Sequence, residues 1–248
     1  MLILLPPSET KREGGHDGTR LELGGLRFPE LTRPRRTALA ATRGLAKDLD
    51  AAVAALKLGP RQATEVLRNR VLTTSPVLPA IDRYDGVLYD ALGADTLDPA
   101  ARAWAGDHVA IGSALFGLVG ALDPIPAYRL SYDSRLPEVR LKDLWPEPAR
   151  TALAAHGGLL LDLRSKGYAA LGPLPARPDA VSVRVVSEGA DGRRQALNHF
   201  NKAGKGALVR RLVEAGIDHP DVDSLLRWAV GEGVRLEPGS PGELDLVV

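Results

Sequence analysis

Four short apolar runs, set far apart along the chain, limit most strongly what it can fold into. Leu2-Ile3-Leu4-Leu5, His108-Val109-Ala110-Ile111-Gly112 and Leu159-Leu160-Leu161-Asp162-Leu163 are nearly continuous apolar stretches, and Val181–Val186 supplies a fourth. Runs of this kind fit strands buried on both faces of a sheet. Between them the pattern turns helical. Ala, Leu and Val recur at spacings of three and four over Thr37–Leu56, and the pattern resumes over Arg61–Val71 after the break at Gly59-Pro60. Further helices are expected at Pro99–Ala105, Leu141–His156, Ala203–Ala215 and Val222–Val230. Val234–Leu236 and Leu244–Val248, around a Pro-Gly-Ser-Pro-Gly turn, read as a C-terminal β-hairpin. Strands separated by helices predict an α/β (α+β) fold: a single mixed, partly parallel β-sheet flanked by helices. With no internal repeat, low-complexity tract or linker-like shift in composition, residues 1–248 are expected to form one domain with a small helical insertion.

Several chemistries are excluded by composition. The chain has no cysteine, so disulfides, thiolate nucleophiles and iron–sulfur clusters cannot form. The five histidines, at 16, 108, 156, 199 and 219, are too scattered for a familiar metal motif, so no metal and no cofactor is expected. Aromatic content of 4% argues against a platform of stacked rings for nucleic acid. Nothing resembles a signal peptide, and no stretch reaches the roughly 20 apolar residues of a membrane span. A cytoplasmic protein without a membrane partner is expected.

Net charge is only +1, so attraction to phosphate has to come from local clusters. One is Arg193, Arg194, Lys202, Lys205, Arg210 and Arg211, a stretch without an acid; another is Arg33, Arg35 and Arg36.

Motifs with possible chemistry fall at predicted strand ends, where open α/β sheets bind ligands. After the first strand come Ser8, Thr10, Lys11 and Arg12, able to donate to or neutralise an anion, without the glycine framework of a Walker phosphate loop. The second strand leads into Gly112–Leu118 and then Asp123–Leu130, without nucleophile-elbow spacing. The third leads into Asp162–Tyr168, and Asn198–Arg211 brings amide and basic groups into a helix. Leu56-Lys57-Leu58-Gly59-Pro60-Arg61-Gln62-Ala63 has the form of a helix-hairpin-helix DNA-binding unit, whose tight turn presents backbone N–H groups to a phosphate. The first glycine usual in that hairpin is here Lys57.

Taken together, Met1–Lys11, Tyr84–Tyr89, Ser113–Gly117, Asp123-x-Ile-Pro-x-Tyr-Arg-Leu, Trp145, Leu163-x-Ser165-x-x-Tyr168 and Lys202-x-x-Lys205-Gly206 with Arg210 resemble the YaaA family. The resemblance covers nearly the whole chain. It implies a DNA-binding protein of the oxidative (peroxide) stress response, acting on duplex or distorted DNA and limiting iron-driven Fenton damage. It also implies a mixed α/β body with a helix-hairpin-helix element, here at about 43–72, beside a positively charged cleft. Carried over by position, DNA-binding residues are Lys57, Gly59, Arg61 and Arg68. Cleft residues are Ser8, Lys11, Tyr84, Gly86, Tyr89, Ser113, Gly117, Asp123, Tyr128, Arg129, Asp162, Ser165, Tyr168, Lys202, Lys205 and Arg210. Better-known relatives carry Ser-Pro-Ala-Lys at the first box and Leu-Ala-Ser where Leu163-Arg164-Ser165 stands, which suggests a divergent branch. With no standard catalytic motif, DNA binding is the leading expectation. The rival is an enzyme or binder for a small phosphorylated or nucleoside-like anion in a polar cleft at the strand ends, with Lys11 or Lys202 as anion holder or base and Asp123 as an orienting carboxylate.

Overall fold

A computed structural model describes residues 1–189, 194–196 and 201–248. Ten strands occur among them: β1 Leu2–Leu5, β2 Leu78–Pro79, β3 Val109–Ser113, β4 Gly117–Gly120, β5 Pro124–Ile125, β6 Leu160–Asp162, β7 Ala180–Glu188, β8 Arg194–Ala196, β9 Leu236–Pro238 and β10 Glu243–Val247. The main sheet runs β4-β3-β1-β6-β7-β10-β9, with β8 added to β7, while β2 and β5 form a separate antiparallel pair. Neighbours from β3 through β10 are parallel, with Ile3 beside Val109 on one edge of β1 and beside Leu161 on the other. Antiparallel strands β4, β8 and β9 complete the mixed sheet.

The four apolar runs expected as strands are β1, β3, β6 and β7, and the C-terminal hairpin is β9–β10. Leu2, Ile3, Leu4 and Leu5 are almost wholly buried, as a strand covered on both faces requires. Helix Asn201–Ala215 lies against helix Val87–Leu92 so closely that a Cβ on Gly206 would stand 2.2 Å from the Leu88 carbonyl oxygen.

Three expected helices differ. The expected Thr37–Leu56 helix is two, Thr32–Leu45 and Leu49–Ala55, because the Asp48 side chain accepts from Ala51 N at 3.1 Å and caps a new start. Arg61–Val71 is a 3₁₀ stretch, Pro60–Glu65, before a short α-helix, Val66–Arg70. Leu141–His156 breaks at Trp145, since Pro146 can begin a helix but not continue one.

The polar stretch Ser8–Pro34 is tied down by two buried arginines. Arg83 donates to the carbonyls of Arg12, Gly14, Pro76 and Ile125, and Arg35 to those of Arg27, Phe116 and Leu118. Arg35, expected in a surface cluster, is therefore a fully buried strut. No helix among the described residues is long and apolar enough to cross a membrane. Arg193, Asn198 and His199, which the sequence analysis names, lie outside the described residues.

Candidate functional site

Because β1 lies between β3 and β6, the chain leaves it toward one side of the sheet and later returns on the other. A crevice opens outside the carboxyl ends of strands at such a point. A cleft of about 560 Å³ lies there, lined by Pro6–Thr10, Gly86–Tyr89, Tyr132, Leu163, Ser165, Tyr168, Asn201, Lys202 and Lys205. Seven expected residues thus come together: Ser8, Gly86, Tyr89, Ser165, Tyr168, Lys202 and Lys205. Gly86, at φ 114°, turns the chain into helix Val87–Leu92 where an L side chain would be strained. The Tyr89 hydroxyl donates to Pro6 O at 2.8 Å, tying that helix to the end of β1.

Beneath the cleft lies a buried polar cluster. Lys11 is 3% exposed; its ammonium donates to Ser8 O at 2.8 Å and Glu9 O at 3.1 Å and stands 4.3 Å from the centre of the Tyr128 ring. Burial pulls its pKa down to about 7. The Ser113 hydroxyl accepts from Leu115 N and Phe116 N, which leaves its proton for Tyr128 at 2.8 Å. Tyr128 in turn shares a hydrogen bond with the Tyr84 hydroxyl at 2.8 Å. Burial pushes Tyr84 up to about 12 and Tyr128 well above its ordinary value, so both phenols stay protonated. Arg129 bridges outward, to Glu9 O at 3.4 Å and to Glu65 Oε2 at 3.3 Å.

Four expected cleft residues lie elsewhere. Asp123 accepts from the amides of Arg27 and Gly120 and fastens a loop to the edge of β4. Asp162 is held by Arg164, whose Nε and Nη2 reach its two oxygens at 2.8 and 2.7 Å. Gly117 packs under Trp145, whose ring leaves no room for a Cβ. Arg210 is two turns into its helix and donates to Leu92 O, Gly93 O and Thr96. The expected basic run 193–211 is likewise divided. Arg194 pairs with Glu188, Glu237 and Asp245, and Arg210 pairs with Glu214.

The family model described as peroxide stress protein YaaA matches residues 1–232. This chain belongs to the YaaA family. It is similar to a UPF0246 protein of Corynebacterium efficiens, 43% identical over 255 residues and the whole of both chains. A UPF0246 protein of Streptomyces coelicolor is 38% identical over 262 residues, covering 100% of this chain and 98% of that one. One from Lactobacillus delbrueckii is 33% identical over 179 residues, 71% of each. Membership of this family is consistent with a role in peroxide stress.

At the position where the sequence reading places the family's hairpin, Lys57 takes φ 55°, the left-handed conformation a glycine adopts most easily. The turn is therefore made despite the missing glycine. Its charges are less free than expected. Lys57 pairs with Asp133 at 2.6 Å, Arg68 pairs with Glu13 at 2.6 Å, and the Gly59 amide donates to Gln62 Oε1 at 3.2 Å. Arg61 is exposed and without an acidic partner among the described residues.

Sequence reasoning missed Glu9, Tyr132 and Asn201 as cleft residues. Glu9 and Asn201 stood inside motifs already singled out, so place in a motif was their signal. Tyr132 lies in an irregular loop with no local periodicity to mark it.

Proposed function

We propose that this chain serves the peroxide stress response by binding DNA, and that it protects the DNA it covers from Fenton damage. One observation carries this reading. Arg33, Arg36 and Arg43 on helix Thr32–Leu45, with Lys47 just past its end, follow one another at spacings that keep them on one face. All four are exposed, and none is ion-paired among the described residues. Arg70 donates to Ala46 O at 2.7 Å, joining this line to the hairpin segment and Arg61. The pairs of Lys57 and Arg68 with acids are partly exposed and worth about 0–1 kcal/mol, so a phosphate can displace them. The widely separated histidines make direct iron storage a poor fit, which favours an indirect effect on iron.

Fluorescence anisotropy of a labelled duplex over a salt series tests this. Affinity should fall steeply with salt, because neutralised phosphates release counterions. Arg33→Glu, Arg36→Glu and Arg43→Glu together should weaken binding and flatten the slope by about one per cation removed. The triple change Lys57→Glu, Arg61→Glu and Arg68→Glu tests the hairpin separately. Unchanged affinity in both sets would overturn the DNA reading.

A second reading is favoured by the cleft itself: a site for a small anionic ligand, phosphorylated or nucleoside-like. Lys202 and Lys205 line it, and tyrosine, serine and carboxylate groups surround them in a way that nonspecific duplex binding does not need. Arg129 connects the two surfaces, since it reaches Glu9 at the cleft and Glu65 at the hairpin.

A further inference from the structure

Three features of the strand-end cleft call for the same ligand chemistry. The first is a pair of oxygens. Glu9 Oε2 and Asn201 Oδ1 are both buried in cleft residues, and neither accepts a hydrogen bond among the described residues. Arg129 stands 3.8 Å from the Glu9 oxygen, beyond hydrogen-bond reach. A buried acceptor without a donor costs about 1–3 kcal/mol, so this wall suits a group that carries N–H or O–H.

The second feature is cationic. Lys202 and Lys205 sit three apart, in the first and second turns of the 15-residue helix Asn201–Ala215, on one side of it and toward the positive end of its dipole. Lys205 is 7% exposed and keeps one bond, to Leu163 O at 2.9 Å, which leaves two of its protons for an anion.

The third is aromatic. Tyr132 and Tyr168 meet edge to face with ring centres 5.3 Å apart, and Tyr132 is 37% exposed. Tyr168 donates to Glu9 Oε1 at 3.2 Å, which holds the carboxylate beside the rings. Asn201 adjoins the lysines in sequence. The cleft thus gathers a ring beside a carboxylate together with an amide and two cations.

We propose that the cleft binds a nucleotide whose base bears an exocyclic amine. The base lies against Tyr132 and gives an amine proton to Glu9 Oε2. A sugar hydroxyl donates to Asn201 Oδ1, and the phosphate rests on Lys202 and Lys205. A sugar phosphate or inorganic phosphate would use only the lysine end, and an acidic peptide would meet Glu9 as a like charge. The volume of about 560 Å³ falls within the range of about 300–1,000 Å³ of small-molecule sites. This inference rests on the second reading of the cleft. The same chemistry can arrive as a free mononucleotide or as an unpaired nucleotide of a DNA strand.

Isothermal titration of the full chain with AMP, IMP, ribose 5-phosphate and inorganic phosphate tests it. IMP replaces the amine of AMP by a carbonyl. AMP should bind about tenfold tighter than IMP or ribose 5-phosphate, the discrimination expected of one well-placed base contact. Tyr132→Ala should remove the advantage of AMP over ribose 5-phosphate, and Glu9→Gln the advantage over IMP. In a parallel arm, a duplex with one unpaired adenine is compared with its fully paired counterpart. A preference for the unpaired adenine that Tyr132→Ala abolishes, without free AMP binding, assigns the nucleotide to a strand. Equal binding of AMP, IMP and ribose 5-phosphate would overturn the proposal in favour of a plain phosphate site. So would unchanged AMP and unpaired-adenine binding in Tyr132→Ala, or no binding of AMP together with no preference for the unpaired adenine. Loss of salt-dependent duplex binding in the Arg33/Arg36/Arg43 variant, with AMP titration unaltered, bears on the duplex surface alone.

Discussion

Lys11 and Lys205, remote in sequence, are held in the same way. Each buried ammonium donates to backbone carbonyls just past the carboxyl end of a parallel strand. Lys11 reaches Ser8 and Glu9 beyond β1, at 2.8 and 3.1 Å, and Lys205 reaches Leu163 beyond β6, at 2.9 Å. Among the described residues neither has an acid in ion-pair contact. Burial lowers the pKa of both, that of Lys11 to about 7.

This arrangement makes stability depend on alkaline pH. Between about pH 7 and 10.5 the unfolded chain keeps Lys11 protonated while the folded chain does not. The unfolded state then binds more protons, so stability rises with pH through this window, by up to about 1.4 kcal/mol per pH unit from this group. Below about pH 7 both states are protonated and the contribution is flat. Urea unfolding at several pH values should show the rise, and Lys11→Met should flatten it. An equal rise in the variant would mean that Lys11 keeps its charge.

Lys57 sets a second expectation, because a left-handed residue other than glycine costs about 1–2 kcal/mol. Its exposed pair with Asp133 returns at most about 1 kcal/mol. Lys57→Gly should therefore leave stability unchanged or raise it by up to about 1 kcal/mol. Lys57→Val, β-branched at the same φ, should lower it by a similar amount or more. Chemical denaturation of the two variants checks this; a clear loss in Lys57→Gly would show that the ion pair outweighs the backbone.

How far this structure can be read from sequence depends on whether the signal is local. β1, β3 and β6 are legible because burial on both faces writes itself as an apolar run. The break between helices at Gly59-Pro60 is legible, although the left-handed residue there, Lys57, carries a side chain that suggests otherwise. β4 is not legible: its first residues, Gly117 and Leu118, end a stretch that reads as a ligand box, and the need for glycine at 117 comes from a φ of 74° and from the ring of Trp145, distant in sequence. Asp123 shares that fate, since its partners are amides rather than the ligand its charge suggests. Glu9, Tyr132 and Asn201 meet in the cleft from three separate loops and helix ends, and no period in the sequence joins them.

Two glycines separate the folding of the helices from the shape of the cleft. A Cβ at Gly206 would stand 2.2 Å from Leu88 O and 2.8 Å from Ala91 Cβ, with backbone on one side that cannot yield without moving a helix. Gly206→Ala should destabilise by about 3 kcal/mol or more. At Gly167 a Cβ would stand 2.5 Å from the Tyr132 ring, which is partly exposed and can swing away. Gly167→Ala should keep the melting temperature nearly unchanged while weakening any ligand that packs on Tyr132. Thermal unfolding combined with AMP titration checks both. A large loss of stability in Gly167→Ala would mean that Tyr132 is fixed.

Arg164 stands where the sequence reading places alanine in many relatives, and the fold makes room for it. Gly112 lies beneath its side chain, a Cβ there being only 3.1 Å from Arg164 Cδ. The guanidinium holds both oxygens of Asp162 and also donates to Gly172 O at 2.7 Å, and both residues of the pair are nearly inaccessible. Two charges buried together contribute little net stability, but removing one leaves the other without compensation. Arg164→Ala should therefore cost about 3–5 kcal/mol. Asp162→Asn in the same chain should recover part of that, because the carboxylate left behind is neutralised while its acceptor oxygen for the Arg164 amide is retained. Urea unfolding of the two single variants and the double variant closes the cycle. Strict additivity would mean that the pair acts as two independent groups and that the loss in Arg164→Ala comes from packing over Gly112.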